Sequence, residues 1–321
     1  MAQHSPGSTA PFFAGFALAL ILSLAAPPRP AQAEALAGAA SSPVTAQSYK
    51  LPISPPLDQG DSGLCWVYAT LSMLESNYLA KHPGSKIALS RAALQRFTIM
   101  DRFQREITGN STHLEDGGLA VDALLLIRQN GLVGARDYHD IVDSDAVFAG
   151  VSSRLAPVKG ADAKLKALDV ALARALGAAP ASTRLDGRTL TAAGLAKTVL
   201  GDEVWTEYDV IRDGGAPRVA LSDDPDARPE TLVHNVELAQ AVKLIHDSLA
   251  RGEAVVWGST DNHALLIYGA DYDAEGQPLA YWIKDSFAPY TKRMPAGEVH
   301  AVLTDVTVAA PADANLTAQR D

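Results

Sequence analysis

The single cysteine of the chain lies in a stretch whose residue types suit nucleophilic chemistry. Residues 58–66 read DQGDSGLCW, and Cys65 is the only cysteine among 321 residues. The segment GLCWVYATLSMLESNYLA (63–80) has apolar side chains at helical spacing, so Cys65 is predicted to lie where a helix begins. The N-terminus of a helix carries partial positive charge, which favours a thiolate, the nucleophilic form of cysteine. Gln59 has a side-chain amide that could donate to a developing oxyanion, together with the backbone N–H of Cys65.

A nucleophilic cysteine requires a base, and His263 is the best placed of the eight histidines. His263 opens the β-like run HALLIYGADYD (263–273), and a second run, LAYWIKDSF (279–287), follows it. The intervening AEGQP favours a turn, so the two runs are predicted to pair as a hairpin. Asp285 would then return close to His263, where it could accept the imidazole N–H and fix the tautomer. The expected arrangement is nucleophile, base and orienter.

The elements that position these residues change in type along the chain. Helical periodicity dominates the first half, and runs rich in β-branched and aromatic residues dominate the second. Such segregation predicts an α+β fold, with a helical lobe at about 55–180 and a β lobe at about 200–310. Residues 178–235 are rich in Asp, Pro and Gly and are predicted to be loop-rich. The predicted helices are 63–80, 89–107, 117–131, 161–177 and 235–253, and the predicted strands are 254–260, 263–273 and 279–287.

The composition argues against several classes of binding partner and stabilising feature. The formal net charge is -10, and no Lys/Arg cluster offsets it, which argues against a nucleic-acid partner. One cysteine cannot form an internal disulfide. The run DYDAEG (271–276) resembles the start of a calcium loop, but its twelfth position is Trp282, where the loop needs a bidentate Glu. We expect no metal and no organic cofactor, and the sequence leaves the oligomeric state open.

The N-terminal segment has the features of an export signal. Residues 11–26 form an apolar run that is short for a membrane-spanning helix. Ala31-Gln32-Ala33 fits the small-x-small rule, so we expect a signal peptide at 1–33 and cleavage before Glu34. The protein would then be periplasmic or secreted, and an uncleaved membrane anchor is the alternative. Residues 34–48 are expected to be a flexible lead-in and 311–321 a loose tail, which leaves one domain at 49–310.

Several segments together resemble the papain-like cysteine peptidases. QGDSGLCW resembles the active-site signature of that family. DNHALLIYGADYD and YWIKDSFA resemble the family's histidine segment and the segment that follows it. Within the family, the likeness is greatest to the bleomycin hydrolase and bacterial aminopeptidase C branch. The segments that carry this likeness, in the order of the branch, are LDQGDSGLCW, LSRAAL, EDGGLAVDALLLIRQNGLV and LARGEAVVWG.

The resemblance implies a two-lobed papain-like fold and a role for each matched residue. It makes Cys65 the nucleophile, His263 the base, Gln59 the oxyanion donor and Asp285 the orienter. It places Gly117 and Gly118 along the substrate cleft, and Trp66 and Asn262 are expected to contact the substrate beside Cys65 and His263. The chain departs from the family where it has Asp285 for the usual Asn, Phe287 for Trp and Ala288 for Gly.

The function that follows is an exported thiol peptidase that acts on peptide or protein substrates. Two other readings stay open. A Cys-His-Asp set also resembles transglutaminases, in which an amine replaces water as the acyl acceptor. The chain could also be a non-catalytic binding protein on a papain scaffold, since a lone cysteine is often only a buried apolar residue.

Overall fold

Helices fill the first half of the described chain, and one large mixed sheet fills most of the second half. The computed structural model describes residues 47–110, 114–138, 142–211 and 233–310. Within these ranges the helices are α1 (Cys65–Lys81), α2 (Arg91–Thr108), α3 (Ala120–Asn130), α4 (Ser144–Leu155), α5 (Ala161–Leu176), α6 (Ala192–Leu200), α7 (Leu238–Ala250) and α8 (Ala296–Val302). The predicted α+β class is confirmed. The predicted signal peptide, most of the lead-in and the tail lie outside the described residues.

The main sheet is built around the strand that begins with His263. The strands of the described chain are β1 (Gln47–Lys50), β2 (Ser182–Leu185), β3 (Arg188–Thr191), β4 (Val204–Ile211), β5 (Val233–Glu237), β6 (Val255–Ser259), β7 (His263–Tyr272), β8 (Pro278–Lys284), β9 (Thr291–Pro295) and β10 (Leu303–Ala310). The order in the main sheet is β5-β4-β10-β6-β7-β8-β9, with β1 paired to the second half of β7. All pairs are antiparallel except β4 with β5.

Helix α1 lies between the main sheet and the helices α2 and α3. Every residue from Trp66 to Tyr78 is buried, so α1 has no solvent-facing stripe. It packs against β7 and β6 on one side and against α2 and α3 on the other. A helix buried on all sides is fixed by its neighbours. Its first residue, Cys65, is therefore held in one position relative to β7.

A second apolar cluster supports the helical half away from the sheet. Helices α4 and α5 pack on each other, and α5 packs on α2. The buried side chains of this cluster are Ile99, Phe103, Val147, Phe148, Val151, Leu155, Leu168, Ala171, Leu172 and Leu176. The cluster braces α2, which in turn supports α1.

Residues 178–235, which were predicted to be loop-rich, are mostly helix and strand in the part that the structure describes. This region contains the β2–β3 hairpin, α6, β4 and the start of β5. Strand β4 reads VWTEYDVI and has the β-branched and aromatic residues of a strand, but the surrounding Asp, Pro and Gly obscured it. Helix α4 was also not predicted, because Gly150 and two serines weaken its helical pattern.

Several predicted elements are shorter than expected, and one of the differences affects the candidate site. The predicted helix 235–253 is α7, which begins at Leu238 after β5. The predicted strand 279–287 ends at Lys284, so Asp285 lies in the loop after β8. There its backbone N–H donates to the carbonyl of Tyr290 at 2.8 Å. No helix in the described ranges is long and apolar enough to cross a membrane.

Candidate active site

Cys65 is the first residue of α1, as the sequence predicted. The preceding residue, Leu64, is fully buried and offers no side-chain cap to the helix. The first backbone N–H groups of a helix have no partner within the helix, so they are available to an anion. Cys65 is half-buried and is a free cysteine. Its Sγ lies 4.0 Å from the carbonyl oxygen of Asn262.

His263 reaches Cys65 because a tight turn delivers it to the end of the sheet. Strands β6 and β7 pair antiparallel, and Ser259 lies opposite His263, which leaves three residues in the turn. The last of these, Asn262, has a φ of 59°, a left-handed conformation that Asn tolerates better than most residues. Its N–H donates to the carbonyl of Ser259 at 3.0 Å and closes the turn. This turn presents both the carbonyl of Asn262 and the ring of His263 to Cys65.

Asp285 holds the far side of the His263 ring. The Nε2 atom of His263 lies 2.7 Å from Asp285 Oδ1. The same oxygen accepts the backbone N–H of Phe287 at 3.0 Å, and Oδ2 accepts from Lys292 Nζ at 2.9 Å. An ionised carboxylate only accepts hydrogen bonds, so Nε2 carries a proton and Nδ1 is the nitrogen left for Cys65. The side chain of Asp285 is 6% exposed.

The charges of the site favour a protonated His263 at neutral pH. Burial alone lowers the pKa of His263, but hydrogen bonds to Asp285 and Cys65 and the charges of both groups raise it to about 9. Burial alone raises the pKa of Asp285, because it disfavours the charged carboxylate. The hydrogen bonds of Asp285 to His263, Lys292 and the Phe287 N–H outweigh burial and lower its pKa to about 2. The pair is therefore imidazolium and carboxylate over a wide pH range.

Gln59 is fixed in the loop just before α1. Its Oε1 accepts from the hydroxyl of Ser286, and its Nε2 donates to the carbonyl of Ser62 at 2.5 Å. An amide NH₂ has two donors, so one N–H remains for an oxyanion beside the N–H of Cys65. Gln59 is 7% exposed, which fixes the direction in which it donates.

The cysteine loop is tied to the segment that carries Asp285. The backbone N–H of Gln59 donates to the carbonyl of Ser286 at 3.1 Å. Asp58 Oδ2 accepts from the Tyr290 hydroxyl at 2.8 Å, and the Asp58 carbonyl accepts from the Tyr68 hydroxyl at 3.0 Å. The loop before α1 and the loop after β8 therefore hold each other in place.

Trp66 and the two glycines form one wall beside Cys65. The indole Nε1 of Trp66 donates to the carbonyl of Asp116 at 2.8 Å, and the ring is 2% exposed. A Cβ on Gly118 would lie 2.8 Å from Trp66 Cζ2, so only glycine fits there without movement. A Cβ on Gly117 would meet nothing within 4 Å, and Gly117 is exposed. Gly117 is open to a ligand, whereas Gly118 and Trp66 support the wall by packing on each other.

A buried charged cluster includes Lys284, the residue before Asp285. Lys284 Nζ donates to Ser54 Oγ at 2.9 Å, and Ser54 in turn donates to Glu75 of α1. Arg91 of α2 forms an ion pair with Glu75, and both side chains are almost fully buried. Burial lowers the pKa of Lys284 to about 8. This cluster joins α1, α2 and the end of β8, where the loop with Asp285 begins.

The structure brings together the residues that the sequence predicted, and it adds two. Cys65, His263, Asp285 and Gln59 meet at the junction of α1 with the sheet. The ring of Phe287 packs on His263 with centroids 5.1 Å apart, and Lys292 binds Asp285. Sequence reasoning treated Phe287 only as a departure and missed Lys292. No local sequence signal marks Lys292, since it reaches Asp285 through the pairing of β9 with β8.

Comparisons with known proteins bear on the fold. A search of the chain against protein-family models found no match. The crystal structure of PepW from Lactobacillus rhamnosis is similar, with a TM-score of 0.64 and 17% sequence identity over 84% of this chain and 83% of that chain. The fold is that of the papain-like cysteine peptidases. The predicted papain-like fold is therefore confirmed.

Part of the chain is also similar in sequence to a cysteine protease. The senescence-specific cysteine protease SAG39 of rice (Oryza sativa subsp. indica) is 27% identical over 143 residues, 43% of this chain and 38% of the relative. The protein of the same name in subspecies japonica matches equally. The matched region thus spans less than two fifths of these relatives. Within the papain-like fold, Cys65 begins the central helix, and His263 and Asp285 come from the sheet side.

Proposed function

We propose that the chain is an exported cysteine peptidase that uses Cys65, His263 and Asp285. The observation that carries the proposal is the continuous contact from the Cys65 thiol through His263 to Asp285 at the N-terminus of a buried helix. The papain-like fold and the similarity to a cysteine protease support it. A peptide or protein is the substrate class.

The proposed reaction proceeds through an acyl-enzyme. The Cys65 thiolate attacks the peptide carbonyl, and the oxyanion accepts hydrogen bonds from the Cys65 N–H and the Gln59 amide. His263 gives its Nδ1 proton to the leaving amine, which breaks the C–N bond and leaves a thioester on Cys65. Water then loses a proton to His263 and attacks the thioester, which releases the acid and the Cys65 thiolate. Asp285 keeps the imidazole oriented through both steps.

A peptide-library digest read by mass spectrometry tests the proposal. We expect wild type to produce new peptide termini and Cys65→Ala, which keeps the fold, to produce none. Adding a primary amine separates hydrolysis from acyl transfer, because a transferase would yield amine conjugates in place of free acids. Cleavage that persists in Cys65→Ala would refute the assigned nucleophile. Absence of both cleavage and conjugates in wild type would favour a binding protein.

The export part of the proposal rests on the N-terminal sequence. Its support is the apolar run at 11–26 followed by Ala31-Gln32-Ala33. Expression of the full chain in a secreting bacterial host, followed by sequencing of the protein's N-terminus, tests it. We expect the mature protein to begin at Glu34. Retention of Met1 in a membrane fraction would indicate an uncleaved anchor.

A further inference from the structure

The orienting carboxylate of the site has a cation on each of its two oxygens. Asp285 Oδ1 lies 2.7 Å from His263 Nε2, and Oδ2 lies 2.9 Å from Lys292 Nζ. The side chains of Asp285 and Lys292 are 6% and 30% exposed, so this ion pair is shielded from water on the Asp285 side. Partly buried ion pairs of this kind act more strongly than those on an exposed surface.

The sheet holds Lys292 next to the loop that carries Asp285. Strand β9 pairs with β8, and Lys292 lies opposite Ile283, two residues before Asp285. The Asp285 N–H donates to the Tyr290 carbonyl and closes the connection between the two strands. Lys292 thus reaches Asp285 from a neighbouring strand, and its position is set by the register of β8 and β9.

A lone carboxylate at this position would have two opposing effects. Its negative charge favours the imidazolium form of His263, but it also works against a thiolate on Cys65. A carboxylate with one free oxygen could also rotate, whereas His263 needs an acceptor in one direction. A cation fixed on Oδ2 offsets part of this charge and, together with the Phe287 N–H on Oδ1, restrains the rotation.

We propose that Lys292 is a positioning residue that offsets part of the charge of Asp285 and holds it as a fixed hydrogen-bond acceptor for His263. The proposal rests on the proposed function, because it assigns His263 a role in the reaction. It concerns charge and orientation only, and Lys292 does not touch the reacting atoms.

The other charged groups near His263 come from four elements. Cys65 lies on α1, Asp285 follows β8, Lys284 ends β8 below the site, and Asp261 lies in the β6–β7 turn. Lys284 is directed to Ser54, and Asp261 Oδ1 accepts from Ser259. Of the two lysines, Lys292 is therefore the one that contacts Asp285.

The test compares Lys292→Met in two backgrounds. In the wild-type background, the variant leaves Asp285 without its counter-charge, so we expect the pKa of His263 to rise. We also expect kcat/KM at pH 7 to fall on the order of tenfold, which is less than the loss of an acid–base group would cause. In the Asp285→Asn background, Lys292 has no anion to offset and disfavours the imidazolium. There, Lys292→Met should leave activity unchanged or raise it.

The pKa of His263 is read by NMR of ¹⁵N-labelled histidine rings, with His263→Gln used to assign the signal. This measurement needs no substrate, so it tests the effect of Lys292 on His263 even if the chain is not a peptidase. Lys292→Arg keeps the charge and should keep the wild-type titration, and melting temperatures show whether each variant folds. An unchanged His263 titration in Lys292→Met, or an equal loss of activity in both backgrounds, would overturn the proposal and leave Lys292 as an anchor of β9.

Discussion

The imidazole of His263 lies between a thiol and a carboxylate, and these two neighbours decide its protonation. With a pKa raised to about 9, His263 is an imidazolium at neutral pH and can pair with the Cys65 thiolate. Activity that depends on this pair should be lost as pH rises through the pKa of His263. The alkaline limb of the pH profile therefore reports on the charge of Asp285.

Replacement of Asp285 by Asn should move that limb. The amide oxygen can still accept from His263 Nε2, but the negative charge that raised the pKa of His263 is gone. We expect an active variant whose kcat/KM falls off at lower pH than that of wild type. Asp285→Ala removes the acceptor and should reduce activity at every pH.

Asp261→Asn is the matched control, because it removes a carboxylate in the neighbouring turn that contacts Ser259 and not the His263 ring. Its pH profile should match wild type. If Asp285→Asn and Asp285→Ala also follow the wild-type profile, Asp285 has no part in the reaction.

Gln59 offers a test of the oxyanion contact. Gln59→Glu keeps an acceptor for the Ser286 hydroxyl but loses the N–H donor, and Gln59→Ala loses both. We expect each variant to lower kcat by about 10²–10³. Gln59→Glu also loses the donor to the Ser62 carbonyl, so melting temperatures are measured to show that each variant folds. Stopped-flow or steady-state kinetics on one peptide substrate provide the measurement. An unchanged kcat would mean that another group binds the oxyanion.

Among the elements, the wall beside Cys65 depends on the close approach of Gly118 to Trp66. A methyl group on Gly118 would lie 2.8 Å from a ring that is 2% exposed and bonded to the Asp116 carbonyl. Gly118→Ala should therefore destabilise the fold by about 1–3 kcal/mol. Gly117→Ala is the matched control, because its Cβ meets nothing. Thermal unfolding measures both.

The two glycine variants should also differ in kinetics. If Gly117 lies along the substrate cleft, Gly117→Ala should raise KM while the melting temperature stays at the wild-type value. Equal melting temperatures for the two variants would contradict the packing described between Gly118 and Trp66.

The elements show what could be predicted from the sequence and what could not. The start of α1 at Cys65 and the hairpin that returns Asp285 to His263 were predicted, because their signals lie within short windows. Strand β10 was missed, and it pairs with β4 and β6, which are distant in the chain. Its sequence, LTDVTVAA, becomes a central strand only through those partners.

The residues of the candidate site also divide into those that the sequence predicted and those that it did not. Cys65, Gln59, His263 and Asp285 could be found because their residue types and spacing are unusual together. Lys292 and Phe287 could not, since their roles depend on the β8–β9 register and on the loop between these strands. Contacts across a register are decided by tertiary packing and not by local propensity.

For the whole molecule, a buried acidic residue in the sheet should make stability depend on pH. Glu207 of β4 is 1% exposed, and its Oε1 has no hydrogen-bond partner within the described chain. Burial and the charges of Asp305, Asp209 and Asp122 raise the pKa of Glu207 well above its ordinary value. A group whose pKa is raised by folding stabilises the fold at low pH, and this contribution is lost as pH rises through the folded-state pKa.

Glu207→Gln should therefore unfold at a higher temperature than wild type at pH 8, and at a similar temperature at pH 4. The amide keeps the size of the side chain and cannot ionise, so the penalty at high pH disappears. Glu237→Gln, at an exposed position of β5, is the control and should have little effect. Calorimetry across this pH range gives the comparison, and a wild-type advantage at pH 8 would contradict the argument.

The central claim is that Cys65, activated by His263, forms a thioester with the substrate. The most direct measurement is mass spectrometry of the intact protein, quenched in acid during turnover of an activated amino-acid ester. We expect a mass increase of one acyl group that maps to the peptide containing Cys65, and no adduct in Cys65→Ala or His263→Ala. An adduct on another residue, or turnover without any adduct in wild type and in Cys65→Ala alike, would contradict it.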